Sequence, residues 1–337
     1  QSAAGTAYTV TIATTAPGTA AAVTGVADNA GIITGSVASG GTTDDTSLVI
    51  SGTLSAPLAA GETVRVYDGT TFLGTATVDT VNGTWSYTDS SLANGDTPSY
   101  TARVADAAGN QSAAGTAYTV TIDTTAPATT AAVTGVADNA GIITGSVASG
   151  GTTDDTSLVI SGTLSAPLAA GETVRVYDGT TFLGTATVDT VNGTWSYTDS
   201  SLANGDTPSY TARVADAAGN QSAAGAAYTV TIDTTAPATT AAVTGVADDA
   251  GTVTGNVASG GTTDDTSLVI SGTLSAPLAA GETVRVYDGT TFLGTATVHS
   301  VNGTWSYTDS SLANGDIPSY TARVADAAGN QSAAGTA

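Results

Sequence analysis

The segment Gln-Ser-Ala-Ala-Gly-Thr-Ala opens at Gln1, recurs at Gln111, returns at Gln221 with Ala226 in place of threonine, and begins again at Gln331. The period is 110 residues, with no insertion or deletion. Residues 14–110 and 124–220 differ at two positions, Gly18 against Ala128 and Ala20 against Thr130. The third copy departs from the second at Asp249, Thr252, Val253, Asn256, His299, Ser300 and Ile317. A period this long exceeds a solenoid unit and fits one small domain per copy. The chain therefore reads as an array of near-identical domains.

Within a copy the signals are all β. Runs rich in Val, Thr, Tyr and Ile alternate with period two and are bounded by Gly, Asn, Asp or Pro. In the first copy the pattern predicts strands at Ala21–Val26, Ser47–Leu54, Thr63–Tyr67, Phe72–Val78, Thr84–Thr88, Ser99–Ala105 and Tyr118–Ile122. Asp68-Gly69 and Asn82-Gly83 are tight-turn dipeptides. Alternation turns Val64, Val66, Trp85, Tyr87, Tyr100, Ala102, Val104, Tyr118, Val120 and Ile122 inward, and Arg65 and Arg103 outward. Leu92, Gly95 and Tyr100 have the order of a tyrosine corner. The expected fold is all-β: tandem seven-stranded immunoglobulin-like β-sandwiches arranged end to end.

Thr-Thr-Ala-Pro follows each expected seventh strand, at Pro17, Pro127 and Pro237, where proline ends a ladder and stiffens a linker. This frame gives domains at 14–123, 124–233 and 234–337, with residues 1–13 as the last strand of an upstream repeat. The third domain stops before its own Tyr-Thr-Val-Thr-Ile strand. An N-terminal strand of one chain completing the third domain of another is a conceivable strand addition.

The charge balance narrows the function. There are 29 acidic residues against six arginines, for a net charge of −23, and no lysine, cysteine or methionine. Nucleic acid and anionic membranes are therefore unexpected partners. Thiolate chemistry, disulfides and cysteine-bound zinc are excluded. Residues 1–27 are uncharged but broken by Thr, Gly and Pro17, so they do not read as a membrane span or a signal peptide. One histidine, in one copy only, and no Gly-x-Ser-x-Gly elbow or phosphate loop argue against an enzyme.

In a sandwich of this topology the first connection carries Asp28, Asp44 and Asp45 to one end, where the seventh strand delivers Asp123. The loop Asp106–Asn110 lies at the other end. Stacking places Asp28, Asp44, Asp45 and Asp123 against Asp216 and Asn220 of the next copy. The second junction assembles Asp138, Asp154, Asp155, Asp233, Asp326 and Asn330. At the outer ends, Asp106 and Asn110 face a linker carrying Ala13 instead of aspartate, and Asp248, Asp264 and Asp265 complete the third copy. So many carboxylates repel one another unless a cation intervenes. Asp, Asn and backbone carbonyls form a hard oxygen set suited to Ca2+. Taken singly, each aspartate also fits an ordinary turn.

The remaining candidates are weaker. Asp68, Asp89 and Asp96 fit turns, Glu62 a solvated strand entry, His299 a drifted surface position, and the tryptophans a core. Asn82-Gly-Thr and Asn110-Gln-Ser match the N-glycosylation sequon.

Thr-Thr-Ala-Pro, Val-Ala-Asp-Asn-Ala-Gly, Thr-Asp-Asp-Thr, Gly-Thr-Trp-Ser-Tyr and Val-Ala-Asp-Ala-Ala-Gly-Asn together resemble the bacterial immunoglobulin-like repeats of biofilm-associated proteins and giant adhesins exported by type I secretion. The resemblance covers essentially the whole chain. It implies an extracellular, Gram-negative cell-surface stalk, stiffened by calcium at the junction residues above and supporting adhesion and biofilm formation. The expected partners are neighbouring repeats of the same chain, with like chains, end to end or side by side, as a variant. An adhesive module that contacts ligands through its loops is the alternative.

Overall fold

The computed structural model describes residue 6 and residues 8–335. Every regular element among them is a strand. In the first repeat these are β1 (Ala21–Asp28), β2 (Gly35–Val37), β3 (Gly41–Thr43), β4 (Leu48–Leu54), β5 (Thr63–Asp68), β6 (Thr71–Thr75), β7 (Thr77–Asp79), β8 (Thr84–Asp89), β9 (Ser99–Ala105) and β10 (Tyr118–Ile122). One sheet has the order β2-β1-β4-β8-β7 and the other β3-β10-β9-β5-β6. All of the first repeat's pairings are antiparallel except β3 with β10. This is the expected sandwich, one antiparallel sheet and one mixed sheet enclosing one core.

The core follows from the alternation. Val64, Val66, Trp85, Tyr100, Ala102, Val104, Val120 and Ile122 are buried with Val26, Leu48 and Ile50, while Tyr87 and Tyr118 pack at its margin. Trp85 lies directly across from Gly52, its register partner on β4. A Cβ on Gly52 would overlap both the Trp85 ring and the Ala22 carbonyl, so only glycine admits the indole there.

Two features depart from the expected strand list. The run Phe72–Val78 is two strands, not one: Ala76 is buried between them, and β6 and β7 join opposite sheets. Alternation fixes inward and outward positions but not which sheet a strand joins. The short β2 and β3 were not expected, because Gly-Ser-Val and Gly-Thr-Thr carry no apolar period. Their strand character comes from their partners. The third repeat makes this visible: Gly261–Thr263 has the sequence of β3 but, with no strand beside it among the described residues, forms none. There the second sheet has three strands, Thr291–Thr295, Thr283–Asp288 and Tyr320–Ala325.

The expected strand at residues 1–13 includes residues 1–5 and 7, which lie outside the described residues. Tyr8, Val10 and Ile12 belong to no strand and are exposed. The same side chains at Tyr118, Val120 and Ile122 are covered, because β9 and β3 flank them.

The chain divides into two compact units. One runs to Thr130 and takes in Ser165–Val174 and Arg213–Ala223; the other holds Ala131–Leu164, Arg175–Ala212 and the chain from Ala224 onward. Within the second unit, the first sheet of the middle repeat keeps the order of its counterpart, and Gly151–Thr153 again pairs in parallel with Tyr228–Ile232.

Candidate junction site

Each unit contains one complete contact between an acidic connection and the loop of the following repeat. In the first unit, the segment between β1 and β4 is folded around its own carboxylates. Asp28 Oδ1 accepts the Ala30 N–H at 2.9 Å, and Oδ2 accepts the Thr43 hydroxyl at 2.6 Å. Asp45 Oδ2 accepts the Asn29 N–H at 2.9 Å, and Oδ1 accepts the Ser47 N–H at 2.8 Å. Both carboxylates are buried and tie the loop's main chain together.

Asp44 differs. Its Oδ1 is buried and accepts no hydrogen bond. Gly31, at φ 60°, lets the carboxylate approach, since a Cβ there would overlap Asp44 Oδ2. Burial pushes the Asp44 carboxyl above its ordinary range, and the negative charges of Asp28, Asp216 and Asp45 push the same way. Asp216 comes from the second repeat, so its charge reaches Asp44 across the junction. A Cβ on Gly219 would stand 3.4 Å from Ile33 and 3.5 Å from Asp44 Oδ2, which shows how closely the loops meet.

The second unit repeats the arrangement. Asp138 accepts from Ala140 and Thr153, and Asp155 from Asn139 and Ser157. Asp154 Oδ1 is again buried without a partner, and burial, then Asp138, Asp326 and Asp155, raise its pKa. In the third repeat Asp248 and Asp265 keep their loop bonds, but among the described residues no loop covers Asp264, and it is exposed.

The covering loop is braced internally. Asp216 Oδ1 accepts the N–H groups of Ala218, Gly219 and Asn220 at 2.8–3.0 Å, and Oδ2 accepts Asn220 Nδ2 at 2.9 Å. Asp326 does the same with Ala328, Gly329 and Asn330. Asp106 bonds Asn110, which holds its carboxyl below the ordinary range. Ala218 and Ala328 are buried at the contact, whereas Ala108, with no described loop against it, is exposed.

The linker is held by main chain more than by side chain. Asn220 Nδ2 donates to the Asp123 carbonyl at 2.8 Å, and Asn330 Nδ2 to the Asp233 carbonyl at 2.7 Å. Asn110 makes the same bond to Ala13 at 3.0 Å, so the linker aspartate is not needed for it. The carboxylates of Asp123 and Asp233 accept the N–H of Thr125 and Thr235. Sequence reasoning missed a second holder. Asn94 Oδ1 accepts the Thr124 N–H, and its Nδ2 donates to the Thr125 hydroxyl; Asn204 does this for Thr234 and Thr235. Asn94-Gly95 reads simply as a turn, and nothing local signals a bond 30 residues away.

Among the described residues no three His, Cys, Asp or Glu side chains converge tightly enough to form a ready-made metal cage. The donors at the contact are nevertheless all hard oxygens. The unpartnered Oδ1 of Asp44 and of Asp154 is open to a cation, and the charges of Asp28, Asp45 and Asp216, or of Asp138, Asp155 and Asp326, act on the same carboxylate. The donor types, though they form no closed cage, are those a hard divalent ion takes.

Of the other aspartates, Asp96 serves a turn, accepting the Ala93 N–H, whereas Asp68 accepts the Ser99 N–H across from β5 to β9. Asp89 does more. It is buried and accepts the Tyr100 hydroxyl at 3.0 Å, so the corner tyrosine is anchored on a carboxylate rather than on main chain; burial, and then the Asp89 charge, raise the Tyr100 pKa.

Fold and site define a tandem array of immunoglobulin-like β-sandwiches whose successive copies meet through acidic loops. Residues 130–234, the middle repeat, match the bacterial Ig-like domain family. The chain is 33% identical over 289 residues to Exoglucanase B of Cellulomonas fimi, covering 81% of this chain and 22% of the relative. It is 34% identical over 309 residues to Exoglucanase A of the same organism, covering 88% of this chain and 31% of the relative. The chain thus spans less than a third of the length of these relatives. Among solved structures, a tandem from titin is similar at 8% identity and TM-score 0.23, with 84% of this chain and 90% of that chain covered. Sidekick-1 immunoglobulin domains 1–4 are similar at 10% identity and TM-score 0.21, with coverages of 91% and 70%.

Proposed function

We propose that the chain is a non-catalytic extender in an extracellular bacterial protein, a cell-surface adhesin, in which calcium bound at each junction stiffens successive repeats. The observation that carries this reading is the buried, unpartnered Oδ1 of Asp44 and of Asp154, each held where one repeat meets the next. Calcium would be held by Asp44 with Asp28, Asp45 and Asp216, and at the second junction by Asp154 with Asp138, Asp155 and Asp326. The ion supplies positive charge to carboxylates that otherwise repel one another. The protein's part is to fix those carboxylates: Thr43, Asn29 and Ser47 orient Asp28 and Asp45, and the Asn220 amide brings the following loop onto the linker. Near-identical copies add length without adding a new surface, which suits reach rather than recognition. The bacterial Ig-like match of the middle repeat supports the extracellular setting.

Small-angle X-ray scattering in millimolar calcium, and then in excess chelator, tests the proposal. The expected result is a maximum dimension close to that of three domains in line with calcium present, giving way to a broad distribution on chelation. Identical profiles in both conditions would sink calcium stiffening.

A further inference from the structure

We propose that Asn302 is a site of spontaneous deamidation that reacts ahead of its counterparts Asn82 and Asn192. All three precede glycine in an exposed hairpin turn. A following glycine offers a backbone nitrogen that no side chain shields. The Gly303 nitrogen, having given its proton to solvent, attacks Asn302 Cγ; the new N–Cγ bond closes a five-membered imide as the Cγ–Nδ2 bond breaks and ammonia leaves. Water then opens the imide to aspartate or isoaspartate. The net change is an amide and water becoming a carboxylate and ammonium.

The three copies differ in what restrains the amide. Asp79 Oδ2 accepts Asn82 Nδ2 at 2.7 Å, and its Oδ1 accepts the N–H of Val81 and of Asn82. Asp189 holds Asn192 in the same way, at 2.6 Å. These bonds keep Cγ from rotating toward the next nitrogen, and the carboxylate repels the anionic intermediate. In the third copy His299 stands at this position. The Asn302 N–H bonds the His299 carbonyl at 3.2 Å, and its side-chain amide has no bonded partner among the described residues. A bond common to all three does not discriminate: Gly83, Gly193 and Gly303 each donate N–H to the carbonyl four residues earlier, at 2.9, 2.9 and 3.1 Å. The asymmetry therefore rests on one carboxylate.

The molecule carries its own control. Trypsin cleaves only after arginine here, so residues 66–103 and 176–213 leave as one identical peptide and residues 286–323 as another. The intact protein is incubated at neutral pH, digested, and scored for amide-to-acid conversion, with fragmentation separating Asn302 from Asn314. Asn302 is expected to convert about two- to tenfold faster than the shared Asn82 and Asn192, the effect of one hydrogen bond on a rate. His299→Asp should bring Asn302 to the shared rate, and D79H with D189H should raise the shared rate. In urea the rates should converge. Equal rates in the folded protein, an unchanged Asn302 in H299D, or a ratio that persists in urea would overturn the proposal.

Discussion

Asp44 and Asp154 are each surrounded by charges of their own sign, and their acid–base behaviour is the readiest measure of that cost. A carboxyl whose folded pKa lies above the usual 3.8 keeps a proton that the unfolded chain has released. Between those two values the folded state binds more protons, so stability falls as pH rises through the window and the penalty stands in full above it. Cation-free protein should therefore gain junction stability as pH is lowered from neutral toward 3.8, while paired carboxylates such as Asp79 and Asp106 work in the opposite sense. Subtracting the profile of a D44N/D154N double variant isolates the junction contribution. Thermal unfolding across pH in chelator should show the variant more stable at neutral pH, with the difference closing in acid; parallel profiles would refute it. Calcium at neutral pH should replace the proton, stabilising wild type by RT ln(1 + [L]/Kd), about 2.7 kcal/mol at a hundredfold excess over Kd, but not the variant. Sequence reasoning grouped Asp28, Asp44, Asp45 and Asp216 as one set. It could not tell Asp44, left unsatisfied, from Asp28 and Asp45, which main-chain N–H groups occupy, because that division depends on the folded path of the loop.

Among the strands, those with an apolar period were legible and those without one were not. β9 and β10 run from Ser99 to Ala105 and from Tyr118 to Ile122, as alternation predicts. β3 exists because β10 lies beside it, a tertiary cause invisible in Gly-Thr-Thr. Hydrogen exchange should separate the two cases. Amides of Gly151–Thr153, paired with Tyr228–Ile232, should be protected, while those of Gly261–Thr263 exchange at rates near those of an open loop. Equal protection would mean that the segment holds its conformation without a partner. The division at Ala76 has a similar origin: Leu73, at the bulge in β6, and Ala76 both face the core, so strict alternation breaks just before the chain changes sheets.

Taken whole, the array should not unfold uniformly. In the third repeat Val246 and Val257 are only partly buried, where Val26, Val37, Val136 and Val147 are buried, and Ile317 is exposed; full burial of such a side chain is worth roughly 1.5–3 kcal/mol. Calorimetry should resolve a lower-melting component from this repeat, with the first two melting together at higher temperature; a single symmetric transition would contradict it. The repeat length and the sandwich were legible from sequence because each recurs three times with its pattern intact. How the linker is gripped was not, because its holders lie in both flanking domains.

That grip has a consequence for how such an array can change length. Asp123 and the Asn220 that holds its carbonyl lie 97 positions apart, within one period, and every copy encodes both a holder and a held segment. Recombination that duplicates or deletes a whole copy therefore rejoins a holder from one copy to a linker from another, and near-identity makes them fit. Gain or loss of repeats is structurally silent at every interior boundary, and length is free to vary between generations while the joints do not.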